Sequence, residues 1–273
     1  MHTSLHDKKS FQELIYKHYR IYGRRFPWRE TTDPYHILVS EIMLQQTQAE
    51  RVQDFYTRFI QRFPDVDSLA KSRVGDVVRI WKGLGYNRRA LNLRRAAHDI
   101  VSKFEGPIPN ALSDLEALPG VGPYTARAIL AFAFNAPSAF IETNIRTVYL
   151  HFFFKKRRRV SDNELLPLVQ ETLDQENPRL WYQALMDYGA MLKRSSVRLN
   201  SKSPQYVKQE PFLGSTRELR GKLIALALEK PITRQNLKKF LGKEDRGLPV
   251  ERVLGALITE GFLKKQGRTY LLR

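Results

Sequence analysis

Two glutamates, Glu41 and Glu142, are the residues of this 273-residue chain best suited to carry a reaction. Paired carboxyl groups can divide acid and base work when their surroundings keep one protonated and the other ionised. Glu41 lies in His36–Val52, which reads as one helix with Ile37, Glu41, Leu44 and Gln48 on one stripe and Leu38, Ile42, Ala49 and Val52 on the next. That position is the edge of an apolar face. There Glu41 is either a salt-bridged surface residue or a carboxyl raised toward neutrality by burial, the form a general acid needs. Glu142 precedes Thr143-Asn144 and opens the following helix, so it is either a helix cap or an ionised partner for Glu41.

Three further groups of residues point to a polyanion. Leu118-Pro119-Gly120-Val121-Gly122-Pro123-Tyr124-Thr125 reads as a glycine turn delivering a helix start. Gly120 and Gly122 allow backbone angles closed to other residues, and free N–H groups meet the positive dipole end at the helix start, which favours a phosphate. Gly120, Val121, Gly122 and Thr125 are the candidate contacts, and an ordinary turn between core helices is the plainer reading. Gln45-Gln46 and Gly83-Leu84-Gly85-Tyr86-Asn87-Arg88-Arg89 form the second group. In it Tyr86 is either a core aromatic or a wedge between bases, with Arg88 and Arg89 on phosphates. The third, Lys155-Lys156-Arg157-Arg158-Arg159, is a cationic run that adds attraction without specificity.

Composition bounds the elements that must position these residues. Lys and Arg number 46 against 28 Asp and Glu, a net charge of +18, and 42% of residues are apolar. The charge favours nucleic acid as partner, ahead of a membrane surface. No stretch approaches the roughly 20 apolar residues of a bilayer span, and the first residues hold no apolar export segment, so a cytoplasmic protein without membrane contact is expected. The chain has no cysteine, which excludes disulfides, zinc-thiolate sites and iron–sulfur clusters. Helical stripes such as Phe11, Leu14, Ile15, His18 and Leu69, Val74, Val77, Val78, Trp81 run through the first two hundred positions, broken by short Pro and Gly turns. The fold class is mostly α.

The reading along the chain is a helical domain over 1–195, a polar linker over 196–215, and a basic module over 216–273. The module shows helical stripes at Thr216–Glu229, from Thr233 to Leu241 and at Pro249–Glu260, then two short strands about Gly267. This is a winged-helix-like pattern. Its Arg217–Arg273 stretch holds 14 Lys and Arg against 6 Asp and Glu, and such modules bind either DNA or protein.

Taken together, Phe26-Pro27-Trp28-Arg29, Pro34-Tyr35, Ser40-Glu41-Ile42-Met43-Leu44-Gln45-Gln46-Thr47-Gln48, Gly83-Leu84-Gly85-Tyr86, the glycine hairpin and Met186-Asp187-Tyr188-Gly189-Ala190-Met191 resemble the helix-hairpin-helix DNA glycosylases, and among them the MutY-type adenine glycosylases. The likeness covers roughly residues 10 to 195. It implies a two-lobed helical fold and excision of adenine mispaired with guanine or 8-oxoguanine. Glu41 would protonate the flipped purine at N7 and help activate water, and Glu142 would stabilise the cationic sugar. Trp28, Arg29, Leu44, Tyr124 and Gln183 match positions that line or support the base pocket, Gln46 and Tyr86 those that fill the helix, and Asn144 one beside the catalytic carboxylate. Tyr124 stands where strand-cleaving relatives similar to endonuclease III carry a Schiff-base lysine, so base removal without efficient strand cleavage is implied. A monomer acting on double-stranded DNA, in the nucleoid and without cofactor, completes the expectation.

Three departures from that pattern stand out. Glu142 replaces an aspartate, so its carboxylate must retract or meet the sugar from a shifted backbone. Lys193, Asn200, Ser203 and Gln209 stand at the places of four cluster-binding cysteines, which suggests a clusterless branch with linker cations on phosphates. The domain that reads 8-oxoguanine is not apparent, and the basic module takes its place. A thymine or uracil mismatch glycosylase, which shares tyrosine at this position, and a DNA-binding protein that has lost catalysis are the alternatives.

Overall fold

A computed structural model describes residues 5–195, 199–205, 211–242 and 247–273. The chain is mostly helical, and its only strands among the described residues are two short ones at the C-terminal end. It divides into two compact units, each built from separated stretches of sequence: residues 1–41, 110–117 and 121–208, and residues 42–109, 118–120 and 209–273. None of the described helices is long and apolar enough to cross a membrane.

The first unit holds α1 (Leu5–Tyr22), the first two turns of α2 (Pro34–Leu44), α7 (Leu112–Ala117), α8 (Pro123–Phe134), α9 (Thr143–Phe153), α10 (Asp162–Thr172) and α11 (Pro178–Arg194). Helices α9 and α11 form its central pair, with α1 packed across α10 and α11. Their interface is aromatic: Phe11 meets Tyr149, Phe152, Phe153 and Trp181 edge-on at 5.2 to 5.7 Å between ring centres. Gly189 is what lets α11 approach the start of α9, because a Cβ there would lie 2.3 Å from the Asn144 carbonyl oxygen. Only glycine fits this crossing.

The expected linker is in part core. Leu199–Lys202 forms a single 3-10 turn against α9, with Leu199, Asn200 and Ser203 buried. Asn200 donates to Thr147 Oγ1 at 2.8 Å, and Lys202 Nζ donates to the Phe154 and Lys155 carbonyls at 3.3 and 3.0 Å. Hydrogen bonds thus fasten the stretch where cysteines were sought; Gln209 lies outside the described residues.

The second unit holds α3 (Ala49–Arg62), α4 (Val66–Ala70), α5 (Val74–Trp81) and α6 (Arg88–Phe104) together with the C-terminal elements α12 (Thr216–Glu229), α13 (Arg234–Phe240), α14 (Val250–Glu260), β1 (Leu263–Gln266) and β2 (Thr269–Leu272). The strands pair antiparallel, Leu263 opposite Leu272, which completes the expected three helices and hairpin. Side-chain caps start two of the helices: Ser215 accepts from Glu218 N, and Thr233 from Asn236 N. The module shares one apolar core with the rest of its unit, where Val78 and Leu91 join Leu219, Leu223, Leu254, Leu257 and Phe262. Glu260 reinforces this contact by accepting from Arg88 at 2.6 Å and from Arg220 at 3.2 and 2.6 Å.

The helix expected over His36–Val52 is two helices. Helix α2 begins at Pro34, with Asp33 Oδ1 accepting from Tyr35 N and His36 N at 2.8 and 3.2 Å, and stops at Leu44. Gln46 then takes a left-handed backbone, φ 55°, before α3 starts at Ala49. No Gly or Pro marks the break. Its cause is Arg89 on α6, whose guanidinium gathers the carbonyls of Ile42, Met43 and Gln45 at 3.1, 2.6 and 2.6 Å. Carbonyls at a helix end are satisfied here by a side chain that is distant in sequence.

Candidate active site

The first unit brings Glu41, Tyr124 and Glu142 into one electrostatic group. Helix α2 is apolar nearly all round, Tyr-His-Ile-Leu-Val-Ser-Glu-Ile-Met-Leu, so it is buried along its length and not on one face. Glu41 is carried inside with it and is 5% exposed. Burial, and then the charge of Glu142, push its carboxyl up to about 8, while a hydrogen bond donated by the Tyr124 hydroxyl acts in the opposite sense. Glu41 is therefore protonated at neutral pH, as a general acid must be. The Tyr124 phenol is itself driven far above its ordinary range by burial and by the two carboxylates, and its ring stands edge-on to Phe140 at 5.5 Å.

Glu142 resolves the question of its extra methylene. It is the N-cap of α9, and its side chain folds back so that Oε1 accepts from Asn144 N at 2.6 Å and Ile145 N at 2.9 Å. Oε2 accepts from the Asn144 side-chain amide at 3.3 Å. Glu142 is thus a helix cap whose charge also acts on Glu41. Its Oε1 holds the helix start. The same charge is felt by Lys193 on α11.

Of the residues expected around a base, Trp28, Arg29, Tyr124 and Gln183 lie in this unit. Trp28 is buried in a 3-10 turn and stacks on Phe26 at 4.9 Å, the rings 4° from parallel. Gln183 is buried on α11 with its Oε1 held by the Tyr19 hydroxyl at 2.8 Å. Arg29 is committed elsewhere: it forms a two-pronged pair with Asp187, both bonds 2.9 Å, and Arg24 adds a backbone bond of 2.7 Å and a side-chain bond of 2.8 Å. Burial works to raise Asp187, but the Arg29 and Arg24 contacts outweigh it and hold the carboxylate below its usual range. Arg29 is thereby a support that ties the Trp28 turn to α11. Sequence reasoning missed Asp187 as the anchor of this support, although it lies within a motif already recognised.

The glycine hairpin has the expected form with one correction. Gly120 has φ 84°, and a Cβ there would stand 2.8 Å from Asn92 Cβ, so glycine is required. Gly122 is extended, φ −92° and ψ 177°, with open space where a Cβ would point, so its backbone needs no glycine. Pro123 occupies the first position of α8, with Tyr124 and Thr125 in its first turn, and the Ala126 N–H donates to the Gly122 carbonyl at 2.9 Å. Val121 is buried beneath the turn.

The second unit carries the remaining candidates. Leu44 ends α2 half-buried, Gln45 Nε2 donates to the Gly120 carbonyl at 3.1 Å, and Gln46 is exposed on its left-handed backbone. Tyr86 is also left-handed, φ 48°, and its hydroxyl accepts from Arg217 Nη1 of the C-terminal module at 2.7 Å. Arg88 is 65% exposed. Arg89, expected on a phosphate, is instead buried and hydrogen-bonded to the backbone, because the α2 terminus and the Gly83–Gly85 turn surround it with carbonyls. Its burial lowers its pKa to about 10.

The family described as HhH-GPD superfamily base excision DNA repair protein matches residues 39–171. An adenine DNA glycosylase of Mycolicibacterium smegmatis is 30% identical over 261 residues, 89% of this chain and 88% of that protein. One from Buchnera aphidicola subsp. Baizongia pistaciae is 36% identical over 187 residues, 67% of this chain. The chain spans about half the length of the Buchnera relatives, 52% of this one. Among solved structures, a thermostable thymine-DNA glycosylase superposes with TM-score 0.60 at 27% identity, over 67% of this chain and 86% of that one. An endonuclease III trapped on DNA gives 0.54 at 17% identity, over 80% and 95%, a likeness of fold.

Proposed function

Because this chain belongs to the HhH-GPD superfamily of base excision DNA repair proteins, we propose that it is a monofunctional DNA glycosylase that removes mispaired adenine from double-stranded DNA. One observation carries the reading: the Glu41 carboxyl is raised to about 8 by burial and then by the charge of Glu142. A purine departs more easily once it is protonated, and a neutral acid poised near working pH supplies the proton. In this reading the adenine is turned out of the helix, Glu41 gives its proton to N7, and the C1′–N9 bond breaks with its electron pair leaving on the base. The sugar is left cationic. The Oε2 side of Glu142 faces that charge, and the Glu41 carboxylate then accepts a proton from the attacking water. Gln183 and Trp28 would hold the base, with Asn144 steadying Glu142.

Tyr124 has no amine, so no Schiff base forms at this position and the product is an abasic site in an unbroken strand. The Tyr124 hydroxyl positions the Glu41 carboxyl. The scheme needs no metal or cofactor. Gly120, Gly122 and Thr125 at the hairpin would hold a phosphate, Gln45, Gln46 and Tyr86 would occupy the gap in the helix, and Arg88 would add charge. The protein would act as a monomer in the nucleoid.

A second reading, removal of thymine or uracil from mismatches, is favoured by the likeness to a thymine-DNA glycosylase. Duplexes carrying A:8-oxoG, A:G, T:G and U:G, incubated with excess protein and then treated with alkali, separate these readings. Cleavage at adenine is expected, cleavage at pyrimidine alone selects the second, and no product from any duplex marks a binding protein.

A further inference from the structure

The carboxylate of Glu142 rides on the first turn of α9, so whatever fixes that turn fixes the charge. Its Oε1 is held by the amides of Asn144 and Ile145. Gly189 of α11 packs against this turn closely enough that a Cβ would lie 2.3 Å from the Asn144 carbonyl oxygen. A second hold comes from far along the chain. Asn200, buried in the 3-10 turn Leu199–Lys202, donates through Nδ2 to Thr147 Oγ1 at 2.8 Å. Thr147, itself buried, donates to the Thr143 carbonyl at 2.7 Å. A hydroxyl has one hydrogen to give. Because Thr147 gives it to Thr143, its oxygen accepts from Asn200, and the chain runs one way from the Asn200 amide to the Thr143 carbonyl. Thr143 is the residue next to Glu142.

The same segment grips α9 at its other end. Lys202 Nζ donates to the Phe154 and Lys155 carbonyls at 3.3 and 3.0 Å, and the Val160 N–H donates to the Lys202 carbonyl at 3.1 Å. Helix α9 has 11 residues. At 1.5 Å per residue this grip lies about 16 Å from the Glu142 end. It bears on the helix alone, whereas the Asn200 grip bears on the residue beside a charge. Buried hydrogen bonds in a chain strengthen one another, and a reacting group misplaced by about 1 Å can cost a hundredfold in rate. We propose that Asn200, acting through Thr147, is a positioning residue for the Glu142 carboxylate, and that the turn after α11 thereby sets the geometry of the candidate active site. The use of that carboxylate in excision rests on the glycosylase reading. The hold on its charge does not, because Glu41 feels the charge in the folded protein. Glu41 faces Glu142 and Tyr124, and Lys193 also feels Glu142.

The test uses the full chain and two readouts. Single-turnover excision of adenine opposite 8-oxoguanine reports the reaction. The carbon NMR titration of the Glu41 carboxyl, identified by its loss in E41Q, reports the neighbouring charge without any turnover. Thr147→Val removes the hydroxyl at nearly constant volume and leaves Glu41, Tyr124, Glu142 and Lys193 in place. It is expected to slow excision by about tenfold or more at unchanged DNA affinity. It should also move the Glu41 titration to lower pH, because a loosened Glu142 turns toward water. Thr147→Ser, which keeps the hydroxyl, should recover most of both effects. Asn200→Leu should reproduce T147V, and the double variant should be no slower than the worse single one, since both cut one chain. Lys202→Gln, which loosens the far end of α9, should lower the melting temperature without moving the titration. Circular dichroism checks the fold of each variant. Wild-type rate and titration in T147V, or an equal titration shift in K202Q, would overturn the proposal and leave the turn a structural support. If the wild-type protein excises nothing, the glycosylase reading falls and the Glu41 titration alone decides whether Asn200 holds the charge.

Discussion

Burial raises the carboxyl of Glu41 and the charge of Glu142 raises it further, so the two glutamates are set against each other and Glu41 stays protonated. Like charges brought close in a buried setting settle into unequal protonation. Their opposition gives the first two predictions.

Glu41→Gln should reduce single-turnover excision by about a thousandfold, within the range for a general acid. In the wild type, the rate should fall as pH rises through about 8, where Glu41 loses its proton. Stability should follow the same group. The folded protein holds a proton between pH 4.5 and about 8 that the unfolded chain has released, so Glu41 weakens the fold as pH rises across that window. E41Q should erase this slope and melt higher than wild type at pH 8.5. An unchanged pH profile in rate and melting would remove Glu41 from its role.

Neutralising the partner tests the coupling. Glu142→Gln leaves burial in place but withdraws the charge that raises Glu41, so the alkaline fall in any residual activity should move to lower pH. Glu142→Asp should retain both cap and charge, because aspartate caps helices at least as well. We expect E142D to melt within about 3 °C of wild type, corresponding to less than about 1 kcal/mol, and to excise at an equal or greater rate. A collapse in the E142D rate would show a site built around the folded-back glutamate.

Gly189→Ala should be costly although it adds a single methyl group. Its Cβ would sit 2.3 Å from the Asn144 carbonyl oxygen, and backbone cannot move aside as a side chain can. Overpacking of this kind costs about 1 to 3 kcal/mol. Because the displaced residue belongs to the first turn of α9, which Glu142 caps, excision should fall further than stability alone explains. A G189A protein with wild-type activity would show that the α9 terminus tolerates movement.

Arg89 and Arg88, adjacent in sequence, should behave oppositely. Arg89→Ala strips buried carbonyls of Ile42, Met43 and Gln45 of their donor and should destabilise the fold by about 3 kcal/mol. Arg88→Ala should change melting little and lower the salt dependence of DNA binding. Equal melting temperatures for the two variants would contradict the buried placement of Arg89.

Much of this arrangement was legible from residue types. The hairpin and the C-terminal helices follow from local signals, Gly at a turn and Ser215 and Thr233 at helix starts, whereas Glu41 and Glu142 were each open between a plain and a functional role. What escaped depends on distant partners. The end of α2 at Leu44 is dictated by Arg89, 45 residues further along, and nothing between Leu44 and Ala49 breaks a helix by itself. The commitment of Arg29 to Asp187 likewise spans 158 residues, and it makes the cation a support, one of the two roles that the resemblance implied. The segment after α11 looked like a linker because its residues are polar, yet Asn200 finds Thr147 and is buried with it.

Gln46 and Tyr86 hold left-handed backbone angles before any ligand arrives, each anchored through its turn by Arg89. Non-glycine residues in that region cost about 1 kcal/mol or more apiece, and folding has already met the expense. Acting as the wedge of the proposed function, these two residues would not reshape to test each base pair, and the deformation required at every encounter would fall on the duplex. The least cohesive pairs would yield first, and a mispair would be found through its own weakness, before any atom of the base has been read.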